Sequence, residues 1–256
     1  MNNTRIPILL KVISIATLSL MSQIIFAQRP APDEIKTDKG ALSIQPVQHG
    51  SLVLTWNNKI IYVDPYGGAK SFEGIAPPDM ILITDIHGDH MSIETLKGIE
   101  TSKATMIVPK AVADQLPEEF KKQLIIINNG EKKKQLGIEI EAIPMYNLPE
   151  TADSRHPKGR GNGYVLNIGG KRVYICGDTE DIPEMRALKN IDIAFICMNG
   201  PTMDINQAAS AVLEFKPKIV YPFHYRESDT EAFKKLVQKG NAAIDVRLRN
   251  WYPKAE

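Results

Sequence analysis

The segment Met80-Ile81-Leu82-Ile83-Thr84-Asp85-Ile86-His87-Gly88-Asp89-His90 decides how this chain is read. Four consecutive apolar residues have the length and composition of a buried strand. Four groups able to bind a metal, Asp85, His87, Asp89 and His90, then follow within six residues. Imidazole nitrogen and carboxylate oxygen are the donors that a divalent ion of borderline softness takes. Gly88 is expected to let the backbone fold so that alternate side chains converge. Only five histidines occur in the chain and two lie here, which disfavours a mere polar loop leading into the helix expected from Ser92.

Outward from this segment, short apolar runs alternate with turn residues. Residues 51–55 and 59–63 flank Asn57-Asn58, and residues 164–168 and 171–175 flank Gly169-Gly170, so each set forms a hairpin on a tight two-residue turn. The second copy lies 112 residues after the first, with Val53/Val165, Leu54/Leu166, Lys59/Lys171 and Tyr62/Tyr174 identical at that offset. Further strands are expected at 104–108, 138–144, 191–197, 218–223 and 244–248. Helices are expected at 92–99, 110–123, 204–215 and 229–239. Hairpins followed by strand-helix alternation, given twice and with no linker between, predict an α/β fold: a four-layer αββα sandwich of two similar halves in one domain. Residues 28–40, rich in proline and charge, read as a solvated lead-in.

Two more candidate ligands end later apolar runs: Asp178 in Gly177-Asp178-Thr179, and His224 after Ile219-Val220-Tyr221-Pro222-Phe223. Either alone is an ordinary turn or core residue. Together they are a carboxylate and an imidazole at strand ends, where a site in such a sandwich would form. The loop Arg155-His156-Pro157-Lys158-Gly159-Arg160-Gly161-Asn162-Gly163 combines basic groups with glycines and can present cations and N–H groups to an anion. It lacks the Gly-Lys-Ser/Thr ending of a nucleotide-binding loop. His49 reads as a hydrogen-bonding residue beneath the site.

Composition narrows the function classes. With 31 Lys plus Arg against 30 Asp plus Glu, bulk charge supports neither a nucleic-acid partner nor an anionic membrane surface. Residues 1–27 carry Arg5 and Lys11, then an apolar stretch closing on Ala27, the pattern of a cleaved signal peptide, with an uncleaved membrane anchor as the alternative. The expectation is an exported, periplasmic or extracellular protein whose domain spans 28–256, with no membrane span after cleavage. Cys176 and Cys197 are the only cysteines, so a disulfide scaffold is excluded. Two buried thiols or a single bridge both fit.

The strand followed by Asp85-x-His87-x-Asp89-His90, the later Gly177-Asp178-Thr179 and the distal His224 resemble the metallo-β-lactamase superfamily. Through His49-Gly50-Ser51, Asp64-Pro65 and Gly163-Tyr164-Val165-Leu166 the chain is similar to its ascorbate-phosphate lactonase-like branch. The resemblance covers residues 41–250. It implies the αββα sandwich, a metal site at the strand ends, and hydrolysis by a metal-bound hydroxide. It also implies that His87 serves a first metal, that Asp89, His90 and His224 serve a second, and that Asp178 bridges both. Asp85 stands where the family has histidine, and Asn147 stands where it has a mid-chain histidine. Asp85 and Asn147 can still offer oxygens, shifting preference toward a harder ion such as Mn²⁺, and His156 is an alternative nitrogen donor.

The expected activity is therefore hydrolysis of a small ester or lactone, with one or two Zn²⁺ or Mn²⁺ ions. Asp89 or Asp85 would accept a proton, and Asn147, His156 and Lys158 would meet substrate. A periplasmic β-lactamase, a phosphodiesterase and a non-catalytic metal- or ligand-binding domain are the alternatives on the same fold.

Overall fold

The computed structural model describes residues 29–253. The expected signal peptide at 1–27 lies outside the described residues. Among the described residues, fourteen strands form two seven-stranded sheets with the same internal plan. In the first, β1 (Asp33–Thr37), β2 (Gly40–Gln48), β3 (Ser51–Trp56) and β4 (Lys59–Val63) run antiparallel. They are followed by β5 (Met80–Leu82), β6 (Thr105–Val108) and β7 (Leu124–Ile126), added in parallel. In the second, β8 (Lys132–Gln135), β9 (Ile138–Met145), β10 (Gly161–Ile168) and β11 (Lys171–Ile175) run antiparallel. Here β12 (Ile193–Cys197), β13 (Ile219–Phe223) and β14 (Asp245–Val246) add in parallel.

The repeat seen in the sequence is a repeat in register. Val53 pairs with Tyr62 across the first hairpin, and Val165 pairs with Tyr174 across the second.

Alternation along the central strands explains the layering. Ile61, Val63, Met80 and Leu82 join the larger core between the sheets. Their neighbours Tyr62, Ile81 and Ile83 face the opposite way, into a second core with Val112, Ala113 and Phe120. A strand that is apolar on both faces must be covered on both. Helices α1 (Ile93–Gly98) and α2 (Lys110–Gln115) cover the first sheet, and α4 (Ile205–Phe215) with α5 (Thr230–Gly240) cover the second, a short α3 (Pro183–Arg186) lying before them. Asp204 starts α4 through a reciprocal capping box with Gln207. Each fully buried aliphatic side chain in these cores contributes roughly 1.5–3 kcal/mol.

Three local expectations change. Residues 33–37 are not a solvated lead-in but the edge strand β1, because Ile35 and Thr37 alternate inward between charged neighbours. The helix expected at 110–123 divides at Pro117 into α2 and a 3-10 turn, Glu118–Gln123, since proline offers no N–H to continue the helix. The last strand shortens to Asp245–Val246. Cys176 and Cys197 are buried, free thiols, and the Cys197 N–H donates to Cys176 Sγ at 3.1 Å. No helix among the described residues is long and apolar enough to cross a membrane.

Candidate metal centre

The parallel strands deliver their C-terminal ends to one edge of the sandwich, and all five histidines gather there. Past β5, the Thr84 N–H and hydroxyl donate to the two oxygens of Asp64, at 2.8 and 2.6 Å, tying the motif to the end of β4. The chain then folds back because the N–H groups of His90 and Met91 both bond the His87 carbonyl, at 2.9 and 2.7 Å. These bonds, rather than Gly88, make the turn. Gly88 has no positive φ and a side chain there would enter open space, which corrects the role expected of it.

His90, Asp178 and His224 form one group. His90 Nε2 lies 3.4 Å from Asp178 Oδ2, and His224 Nε2 lies 3.6 Å from Asp178 Oδ1 and 3.5 Å from Asp89 Oδ2. Such spacings match the roughly 3.4 Å edge of a tetrahedron with metal–ligand bonds of about 2.1 Å. His90 Nδ1 donates to Asp64 Oδ2 at 2.8 Å, which leaves Nε2 as a lone pair. His90 Nε2, His156 Nε2, His224 Nε2 and Asp178 Oδ1 are buried without a hydrogen-bond partner. Buried polar atoms are rarely left so, and a shared cation is the partner that imidazole and carboxylate donors fit.

His49 belongs beneath this group. The Tyr252 hydroxyl donates to its Nδ1 at 2.7 Å, so its Nε2–H donates to Asp89 Oδ2 at 2.9 Å. Burial keeps His49 below its ordinary pKa despite the carboxylate. The Asn199 side-chain amide lies against both His224 Nδ1 and the His224 carbonyl.

Asp85, His87 and His156 form a second group. Asp85 is fully buried and takes a two-pronged bond from Arg160, Nε to Oδ1 at 3.0 Å and Nη2 to Oδ2 at 2.8 Å. His87 Nδ1 stands 2.9 Å from Asp85 Oδ2. His156 is buried and presents Nε2 to Asp178 Oδ2 at 3.4 Å.

The electrostatics are those of compensated burial. Burial pushes Asp178 up, but the charges of His90 and His224 and the close ring nitrogens of His156 and His90, each 3.4 Å from Oδ2, outweigh it and hold the carboxyl well below its usual range. Asp89 is lowered in the same way, against burial, by His224, whose Nε2 lies 3.5 Å away, and by the hydrogen bond with His49. Burial disfavours a charged His90, but Asp178 and Asp64 raise its pKa well above the ordinary histidine value, so an ion bound at Nε2 takes the place of a proton there. For Asp85, hydrogen bonds from His87 and Arg160 overcome burial and lower its pKa.

Six residues proposed as ligands, Asp85, His87, Asp89, His90, Asp178 and His224, thus lie at one edge of the fold. Asn147 lies behind His156, its Oδ1 accepting from the His156 backbone N–H and its Nδ2 donating to Glu180 and Pro201. Lys158 turns away to Glu150 and Glu184, at 3.3 and 3.1 Å, over the Tyr146 ring. Sequence reasoning gave no site role to Asp64, Asn199 or Tyr252, and counted Arg160 only among the cations of a loop facing an anion. Asp64 alone had a usable signal, as the polar residue closing a hairpin beside a motif strand.

Residues 43–224 match the family model described as the beta-lactamase superfamily domain. A UPF0173 metal-dependent hydrolase of Nanoarchaeum equitans is 31% identical over 79% of this chain and 95% of its own. A counterpart from Pyrococcus abyssi is 29% identical over 78% and 93%. Among solved structures, one from Parabacteroides distasonis, assigned as a metal-dependent hydrolase, is 39% identical with a TM-score of 0.77, covering 87% of this chain and 99% of that one. A sandwich of two matched halves, a ligand motif after the fifth strand and a family match running through His224 lead to one conclusion: the chain belongs to the metallo-β-lactamase superfamily, among its metal-dependent hydrolases.

Proposed function

We propose that the chain hydrolyses a small ester or lactone, using a divalent ion held by His90, Asp178, His224 and Asp89. The observation that carries this reading is the pair of buried, unpartnered Nε2 atoms of His90 and His224 beside the Asp178 carboxylate. Two imidazoles and two carboxylates suit Zn²⁺, with Mn²⁺ as the competitor. When bound, the ion would polarise the scissile carbonyl and acidify a water.

The chain's own groups supply the rest of the chemistry. Asp64 fixes the His90 tautomer, and His49 with Tyr252 fixes Asp89 through its Oδ2. His156 Nε2, with its lone pair toward the site, accepts a proton from the attacking water. Asp85 is a poor choice for that task, because Arg160 holds both of its oxygens. The enzyme would work after export, with residues 1–27 removed; mass spectrometry showing a chain that starts at Gln28 supports this, and recovery from Met1 opposes it.

The test is chelator-stripped protein reloaded with Zn²⁺ or Mn²⁺ and assayed on lactone, β-lactam and phosphodiester panels. Metal-dependent turnover confined to the lactones and esters supports the reading. Turnover of only the β-lactams or phosphodiesters, or of none, overturns it.

A further inference from the structure

The first ligand group already contains a cation. Asp85, fully buried, needs a positive partner to be tolerated there, and it has one in the Arg160 guanidinium, joined by two parallel hydrogen bonds of 3.0 and 2.8 Å. Such a pairing is the strongest geometry available to a carboxylate and an arginine. Arg160 Nη2 also stands 3.5 Å from His87 Nε2. Two of the three residues in the Asp85, His87, His156 group are therefore engaged by one side chain.

Arg160 is not a surface arginine that has drifted inward. The next residue, Gly161, runs so close to the motif that a Cβ there would meet the Thr84 carbonyl oxygen at 2.7 Å. The Asn162 N–H donates to that same oxygen at 2.9 Å. Asn162 is itself fixed, its Nδ2 donating to the Ile127 carbonyl and its Oδ1 accepting from Asn129 Nδ2, at 2.8 and 2.6 Å. The backbone carrying Arg160 is thus locked against the residue that precedes Asp85.

Charge separates the two groups. With neutral imidazoles, Asp85 and Arg160 cancel, whereas Asp89, Asp178 and the Asp64 behind His90 outnumber the one arginine beside them, the exposed Arg226 at 3.5 Å from Asp89 Oδ2, and leave two negative charges to meet a divalent ion. A second divalent ion entering beside a guanidinium in a dry pocket meets repulsion that water does little to screen.

We infer that Arg160 takes the place of the first metal ion, so that the enzyme carries one exchangeable cation and one permanent one. Asp85 in place of histidine then has a physical reason: a carboxylate neutralises the buried guanidinium, which an imidazole would not. The permanent charge keeps 18% of its side chain exposed and would bind an anionic group of the substrate or the oxyanion formed on attack. This inference rests on the proposed metal at His90, Asp178, His224 and Asp89.

The experiment is Zn²⁺ titration of chelator-stripped protein against a chromophoric chelator, with bound metal counted by mass spectrometry after gel filtration. Wild type should saturate at one tight equivalent, Arg160→Lys at one, and Arg160→Met at two, the last because Asp85, His87 and His156 are released as ligands. Two tight equivalents in wild type overturn the inference without recourse to any variant, even if Arg160→Met fails to fold, and leave the proposed metal centre intact. A folded Arg160→Met that still takes one equivalent also overturns it. No tight equivalent in any form overturns the proposed metal centre and this inference with it.

Discussion

Asn147 Oδ1 accepts two hydrogen bonds from His156, one from its backbone N–H and one from its ring Nδ1, both at 2.9 Å. The Asn147 amide nitrogen faces Glu180 Oε1 and the Pro201 carbonyl, which can only accept. The orientation of the amide is therefore determined, and with it the proton on His156 Nδ1 and the lone pair on Nε2. If that lone pair is the proton acceptor, His156→Ala should lower kcat by roughly 10²–10⁴-fold while bound metal is retained. Asn147→Ala, which frees the ring without removing it, should cost less. Lys158→Ala, on its two surface glutamates, should change kcat and metal content little. Steady-state kinetics with metal analysis of each variant checks all three.

Asp64 receives the Thr84 N–H, the Thr84 hydroxyl and His90 Nδ1–H. An amide has one acceptor oxygen where the carboxylate has two, so Asp64→Asn leaves a donor facing an NH₂ group. Metal affinity should fall by roughly 10–100-fold. Competition with a chelator of known affinity measures this, and an unchanged affinity would show that His90 is oriented by something else.

Gly50 packs directly beneath two ligands. A Cβ there would come within 2.9 Å of His224 Cδ2 and 3.6 Å of His90 Cε1. Gly50→Ala should displace His224 and weaken metal binding by about tenfold or more, with the far-ultraviolet circular dichroism spectrum unchanged. Full metal affinity in this variant would mean that His224 is not a ligand.

Asp33 ties the first sheet to the second by accepting from the Tyr221 hydroxyl at 2.6 Å and from Arg247 at 3.0 Å. Burial raises its pKa, but these hydrogen bonds and the charges of Arg247 and Arg249 outweigh burial and lower it. A carboxyl depressed in the folded state stabilises above its unfolded pKa of about 3.9, and that stability is lost as pH falls through the folded value. Asp33→Asn should thus lower Tm by roughly 1–3 °C at pH 7, the scale of one partly exposed pair. The gap to wild type should close in acid. A gap that persists or widens below pH 3 would refute the assignment.

What could be read from the sequence was what is written locally. The αββα architecture follows from two hairpins with matching residues, and Asp85 to His90 announce themselves because four donors stand within one turn of a strand end. Asp178 and His224 were legible for a related reason, each closing an apolar run. The Asp85–Arg160 pair was not, since its partners lie 75 residues apart and meet only because β10 docks beside the end of β5. Tyr252, next to His49 in space and 203 residues from it in sequence, was hidden in the same way. The edge strand β1 escaped notice because an edge needs only two inward residues, Ile35 and Thr37, and the charged residues between them look like a tail.

The site draws on His49, Asp64, the motif at 85–90, His156, Asp178 and His224, segments scattered over most of the described chain. No contiguous stretch holds more than a fraction of the donors. Pairings this distant form late in folding, and binding free energy available only to the folded state adds to its stability. The full set of donors therefore comes together only when the thirteenth strand has taken its place and presented His224. A centre assembled this way would select its ion by what surrounds the finished fold, and not by what is present where translation begins.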